Sequence, residues 1–434
     1  MRWTAALVLA ATVAAGCRRE AAPAPRTTIT FWHTFTADET EVVNARIAAF
    51  EAAHPDVKVQ ASAIPFGSAQ SRIKEAFAVG ETPDLFRIEA GWTPEYVRLG
   101  VLVPAQEWLP EEDRADLLPQ AAALFTVDGK LAAAPHVVDC LALLYNKTLL
   151  DAAHVAVPAD YDALAAASHT LTDSRAGRYG FFLRGDGYWY LPFLWGFGGD
   201  LVDAKGNVAL DSPQAIAAMK AYVDLERKGT TPPGTDWPAD YRRMMRMFAD
   251  GQVAMILNGP WATSELLQGA AFKGHEDALG IAPVPSGPHG SAPATPIGAH
   301  GYGIASTSKH RAEAAELARW LVSTDSEAAF AAHANVLPAR RAAWSRPEVT
   351  GNRIVSQFRA VLDTGRGRPT DAELSYIFGT LSSAVQEVAE GQLDETAAMK
   401  AVAKQWRERR AVPTPTPVGS KAPAVPVHAE TTPP

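Results

Sequence analysis

The sequence predicts an α/β protein, and three observations carry that expectation. Strand-like and helix-like stretches alternate from residue 27 to residue 91. The 434-residue chain, 47% hydrophobic and 20% charged, has the composition of a globular protein but is longer than one core usually serves, so two domains are expected. Aromatic and polar residues recur together where strand-like runs end. Strand–helix–strand–helix–strand within roughly sixty residues implies parallel strands joined by crossovers, and binding sites in such sheets lie at the carboxyl ends of the strands.

The first seventeen residues, MRWTAALVLAATVAAGC, combine one Arg, an apolar run and small residues before Cys17. This pattern is an export signal and is too short to span a bilayer. It resembles a bacterial lipoprotein lipobox, with Ala14 where that pattern prefers Leu. The resemblance implies that Cys17 is lipidated, so that the protein is exported and anchored in the cell envelope by its lipid. Residues 18–27 read as a Pro/Ala linker. Cys140, the second cysteine, then lacks a partner and is expected to be a small buried hydrophobe outside any disulfide.

TTITFWHTF (27–35) reads as a buried strand. Thr36-Ala37-Asp38-Glu39 offers a capping box, Val43, Ile47 and Phe50 continue at helical spacing, and Pro55 stops the helix. VKVQASA (57–63) alternates as a strand does. Residues 68–79 return to a helix through Ile73 and Phe77, with Gly80 as its C-cap. PDLFRIEAG (83–91) is the next strand. The Pro-rich end, 411–434, has almost nothing to bury and is expected to be disordered.

The net charge of -8 argues against nucleic acid as a partner, because no basic surplus is present to neutralise phosphates. No P-loop, strand-linked G-x-G-x-x-G, G-x-S-x-G elbow or H-E-x-x-H occurs, so no cofactor or metal is implied. Glu89 and Asp139 both follow strand-like runs and could face one cleft, as a glycosidase pair would. What recurs instead is an aromatic beside a polar group: Trp32 with His33 and Thr34, Glu89 with Trp92, Tyr188 and Trp189 in DGYWYLPFLW, Asn258 with Trp261, His300 in GAHGYG, and Tyr376 with Phe378 in SYIF. Sugars present the complementary surface, ring faces that stack on aromatic planes and hydroxyls that take carboxylates and amides. Each of these residues could also serve only its own core. Trp261 sets the puzzle most sharply, since AMILNGPW ends a buried run with a large aromatic just past a Gly-Pro turn.

In order, ITFWHTFTADETEVVNARIAAFEAAHPDVKV, GETPDLFRIEAG, GKLAAAPHVVDCLALLYNKTLL, FADGQVAMILNGPWA, IAPVPSGPHGS and VLPARRAAW resemble the extracellular solute-binding proteins of ABC importers, in particular the maltose/maltodextrin and multiple-sugar type. The resemblance runs from about residue 27 to 410. It implies a two-lobed, type II-like periplasmic-binding-protein fold, with hinge strands and a ligand cleft between the lobes. Lobe one would comprise 28–138 and 301–348, and lobe two 142–297 and 354–410. Asp139 would accept a sugar hydroxyl at the hinge. Trp261, Tyr188 with Trp189, and Phe378 would stack on the ligand, and the Glu89–Trp92 loop would add contacts. His33, Thr34, Asn258, His300 and Tyr376 complete the candidate ligand-binding set. The expected partners are a carbohydrate, the permease subunits and a membrane reached through the lipid. A monomer that is not an enzyme is expected. Another solute, of glycerol-phosphodiester or polyamine type, and a carbohydrate-active hydrolase are the alternatives.

Overall fold

The computed structural model describes residues 26–234, 240–288, 291–369 and 373–411. Cys17 and its export signal, the linker up to residue 25 and the tail from 412 lie outside the described residues.

Fourteen strands are formed among the described residues. They are β1 (Thr27–His33), β2 (Val57–Ala63), β3 (Leu85–Glu89), β4 (Leu102–Val103), β5 (Thr126–Val127), β6 (Lys130–Leu131), β7 (Ala134–Cys140), β8 (Ala142–Asn146), β9 (Tyr179–Phe182), β10 (Val253–Asn258), β11 (Leu279–Ala282), β12 (Thr295–Ala305), β13 (Leu337–Pro338) and β14 (Gly365–Arg366). An eight-stranded sheet has the order β13-β7-β12-β3-β1-β2, with β14 and β4 also paired to β12. A four-stranded sheet has the order β11-β8-β10-β9.

The α/β expectation holds, and the first crossovers form as the sequence predicts. β1 runs parallel to β2 from Thr27↔Val57 to His33↔Ala63, and parallel to β3. The Ala37–Ala53 helix between β1 and β2 starts on the capping box, with Thr36 and Glu39 each accepting from the other's backbone N–H. The Phe66–Val79 helix ends on Gly80 at φ 79°, a left-handed cap suited to glycine. It starts two residues earlier than expected, at Phe66. β3 is shorter than expected because the Glu89 carboxylate accepts from the Gly91 N–H and turns the chain into the Ala90–Trp92 3₁₀ turn. The sheet is not parallel throughout. β12 re-enters it from the other sheet and pairs antiparallel with β3 and β7.

One residue, Leu141, separates β7 of the large sheet from β8 of the small sheet. Cys140 is fully buried there and faces Ile297 of β12. The small sheet is apolar on both faces, as a strand buried on two sides must be. Leu143, Met255 and Leu257 face a core built with the Gly187–Gly196, Pro213–Arg227, Leu374–Ala389 and Glu395–Arg410 helices. Leu144, Ile256 and Ile281 face the opposite way and join the core of the large sheet through Phe248, Leu266, Val355 and Phe358. The two sheets therefore carry two lobes, and the carboxyl ends of β3, β7 and β10 meet between them.

Candidate ligand-binding cleft

Asp139 lies near the end of β7, opposite Gly298 of β12. It is only 8% exposed. The Tyr188 hydroxyl is 3.4 Å from Asp139 Oδ1 and 3.3 Å from the Pro296 carbonyl, so one O–H is shared between two acceptors. Burial pushes the Asp139 carboxyl up to about 7; the nearby Glu89 charge adds to this, while Arg368, Arg87 and the Tyr188 bond oppose it.

Arg368 is the counter-charge at this centre. It sits on the connection between β14 and the Leu374–Ala389 helix and is almost wholly buried. One guanidinium nitrogen is ion-paired to Glu89 Oε1, and Nε donates to the Ile297 carbonyl at 3.3 Å. The guanidinium also lies 5.4 Å from the Tyr188 ring centre and 5.8 Å from that of Phe378. Glu89 is occupied on both oxygens, since Oε2 takes the Gly91 N–H at 2.7 Å.

Aromatic side chains form the wall on the small-sheet side. Tyr188 meets Phe378 edge to face at 5.9 Å, and Trp189 at 5.7 Å. Trp189 meets Trp261 at 6.4 Å and 87°. Both indoles are tied by their N–H groups, Trp189 to the Leu257 carbonyl at 2.7 Å and Trp261 to the Tyr241 hydroxyl at 3.1 Å. Arg184 lies over Trp189 and Tyr241 at 4.9 and 5.1 Å, held by Asp240 and Asp186. Trp261 itself is half-buried and touches both cores. The Pro260–Ala262 3₁₀ turn folds its ring back over Gly259, where a β-carbon would lie 1.8 Å from the indole. The Gly-Pro turn thus lets a large aromatic lie flat on the backbone at the lip of the cleft instead of entering either core.

On the large-sheet side Trp92 is buried and packs between Phe66 and Tyr96. His300 pairs with Glu89 across β12 and β3, and its Nδ1 is buried without a hydrogen-bond partner. His33 and Thr34 turn toward the lobe core. The His33 ring packs on Phe31 and Phe35, and burial followed by the Arg87 charge lowers its pKa to about 4. Thr34 Oγ1 accepts from Arg87 at 3.0 Å.

Two further candidates are not brought to this centre. Asn258 is fully buried, its Oδ1 accepting from the Gly259 N–H and its Nδ2 facing Met245 Sδ, and its side chain is also bonded to Tyr241, so it acts from behind the aromatic wall. Tyr376 is exposed, lies under Arg409 at 3.9 Å and reaches Gln405. It stands two residues, roughly 200° of helix, from Phe378 and so occupies the opposite face. Residues that the sequence reading missed complete the site: Arg368, Arg184, Tyr241 and Phe66. The first lies in GRGRP, a stretch with no periodicity to mark it, whereas Phe66 shares the signal of Trp92 and Trp261, an aromatic just past a strand's carboxyl end. Among the described residues no group of three or more His, Cys, Asp or Glu could hold a metal ion, and no helix is long and apolar enough to cross a membrane.

Two lobes joined by a short strand-to-strand connection, with a polar centre walled by aromatics between them, have the architecture of a two-lobed binding protein. A family model described as bacterial extracellular solute-binding protein matches residues 36–328, and the chain belongs to that family. The GacH receptor of Streptomyces glaucescens GLA.O, solved unliganded and in complex with acarbose and an acarbose homolog, is 33% identical, with a TM-score of 0.83 over 88% of this chain and 98% of that one. A binding protein of Brucella abortus (strain 2308) is 25% identical over 81% of this chain and 85% of its own length. The maltodextrin-binding protein of Bacillus subtilis (strain 168) is 29% identical over 62% of this chain and 64% of its own.

Proposed function

We propose that this chain is the substrate-binding component of an ABC sugar importer, exported and lipid-anchored through Cys17. It captures a mono- or oligosaccharide between its lobes and presents the closed form to permease subunits. The lobes divide as residues 28–138 with 301–348, and 142–297 with 354–410. The observation that carries the reading is the pairing of Asp139, a buried hydroxyl acceptor, with indole and phenol faces at Tyr188, Trp189 and Trp261. Similarity to a receptor solved in complex with acarbose and to a protein named for binding maltodextrin supports a saccharide over a charged solute.

Closure is a two-state equilibrium that a ligand shifts by binding the closed form more tightly. Asp139, Glu89 and Arg368 line the seam, so a ligand there contacts both lobes at once and favours the closed form. Glu89 has both oxygens engaged, which speaks for positioning and against general acid–base work. A thermal-shift screen of the mature body against mono- and oligosaccharides, polyamines and glycerol phosphates tests the reading. A ligand at a hundredfold its Kd stabilises by about 2.7 kcal/mol, a visible melting shift. A shift with a charged solute and none with any saccharide would overturn it. A labelled oligosaccharide should be recovered intact after incubation; cleavage products would favour a hydrolase.

A further inference from the structure

Phe66 is 51% exposed, although it opens a helix whose buried face is otherwise satisfied by Ala69, Ile73, Ala76 and Phe77. β2 ends at Ala63 and runs parallel to β1, which runs parallel to β3, so Phe66 stands at the same carboxyl edge of the sheet as Glu89. Its ring stacks on Trp92 at 5.4 Å and 28° and meets His300 edge-on at 5.8 Å. One face of the phenyl ring is therefore backed by an indole, and half of the residue is left to solvent beside the seam. The next residue, Gly67, has open space where a side chain would be. A large apolar ring held rigidly from behind and unfilled in front is a stacking platform, not a core residue.

The two aromatic groups of the cleft are separate. Tyr188, Trp189, Trp261 and Phe378 touch one another on the small-sheet side, and Phe66 joins Trp92 on the large-sheet side. Between them stand the charged Arg368–Glu89 pair and His300. No ring of one group packs on a ring of the other, so each group presents its own face to the cleft. We propose that Phe66 is a specificity-determining residue: it stacks on a second sugar unit, beyond the one held against Tyr188 and Trp261, and selects saccharides of more than one unit. The proposal rests on the saccharide reading given above.

The test is calorimetric titration of wild type, Phe66→Ala and Phe66→Trp with glucose, maltose, maltotriose and a galactooligosaccharide. Melting temperature without ligand checks that each variant is folded. In the wild type affinity should rise from one unit to two or more. Phe66→Ala should remove about tenfold of that rise, leave the weakest monosaccharide binding unchanged, and be rescued by Phe66→Trp. Affinity that does not rise with chain length, or a rise that Phe66→Ala leaves intact, overturns the proposal while the saccharide reading stands. A wild type that binds none of these sugars overturns the proposal and leaves the saccharide reading to the wider screen described above.

Discussion

Gly298 faces Asp139 directly across the antiparallel β7–β12 pair, and a β-carbon on Gly298 would lie 2.0 Å from Asp139 Oδ1. The absence of a side chain at 298 is what leaves the carboxylate room to face Tyr188. Gly298→Ala should therefore weaken ligand binding without touching ligand. Displacing a charged acceptor costs about 1.5–3 kcal/mol, roughly 10- to 100-fold in Kd. Calorimetric titration checks this, and Asp139→Ala should weaken binding as much.

The titration of Asp139 sets a pH dependence. Its carboxyl, raised by burial to about 7, is largely protonated below that pH in the free protein. A sugar hydroxyl donates to the ionised form, so affinity should increase as pH rises through about 7, by at most tenfold per unit. Asp139→Asn should flatten the profile. For stability the sign is reversed: a carboxyl raised above its ordinary value contributes stability at low pH that is lost as pH rises through about 7. An affinity that falls between pH 6 and 8 would sink this assignment.

The histidines give the opposite slope. His33 is held down to about 4, by burial and then by Arg87, and His136 and His300 are held well below their ordinary value by burial and then Arg87. Their folded-state pKa values are depressed, so the unfolded chain takes up protons that the native state refuses. The stability they contribute is complete above about 6.5 and is lost as pH falls below it, at up to about 1.4 kcal/mol per pH unit for each histidine. Buried carboxyls, Asp139 among them, titrate with the opposite sign over the same range, so the fall is read as a difference between wild type and a histidine variant in urea unfolding at pH 7 and pH 5. The His136 Nε2 accepts from Arg87 Nε at 3.1 Å, so His136→Gln can keep the acceptor while removing one proton from the slope.

Trp261 depends on Gly259 in the same way that Asp139 depends on Gly298. Trp261→Ala removes a half-buried stacking face, and its expected cost is at least about 2 kcal/mol of binding, near 30-fold. Gly259→Ala pushes the indole off its bed and should reproduce most of that loss with the tryptophan still present. Quenching of Trp fluorescence on ligand addition should shrink in both variants, and an unchanged signal in Trp261→Ala would remove Trp261 from the site.

A second ion pair crosses between the lobes at the rim. Arg98, at the end of the Thr93–Arg98 helix beside β3, pairs with Glu373 at 2.6 Å, and Arg409 reaches the same carboxylate at 2.8 Å. The Arg98 pair is partly solvated, with side chains 23% and 10% exposed, so it contributes up to about 1 kcal/mol to closure. Arg98→Ala should weaken ligand binding by less than about fivefold, and high salt should erase the difference. Titrations at low and high salt decide it, and a large salt-independent loss would mean that Arg98 touches ligand.

Much of the first lobe was legible because its signals are local. The Thr36–Glu39 capping box, the Gly80 cap and the alternation of 57–63 are each settled within a few residues, and the structure forms them where the sequence places them. The antiparallel half of the large sheet was not, because the direction of β12 depends on a return from the other lobe. The same limit governs the site. Asp139, Tyr188, Trp189, Trp261 and Phe378 each announced themselves by type and position, and the fold groups them. Asn258 looked the same in sequence, yet its amide is buried behind the aromatic wall on Gly259, Met245 and Tyr241, and Tyr376 lies on the outer face of its helix. Arg368 gave no signal at all, since its partner Glu89 is 279 positions away.

By itself, then, the sequence determined the α/β alternation, the caps, and the supply of aromatics and acids at strand ends, since hydrogen bonding and side-chain periodicity act over one or two turns of chain. Only the tertiary structure decided which of those side chains share a cleft, where Arg368 places its charge, and how far Asp139 is buried, since desolvation and long-range pairing exist only once the two lobes have been folded against each other.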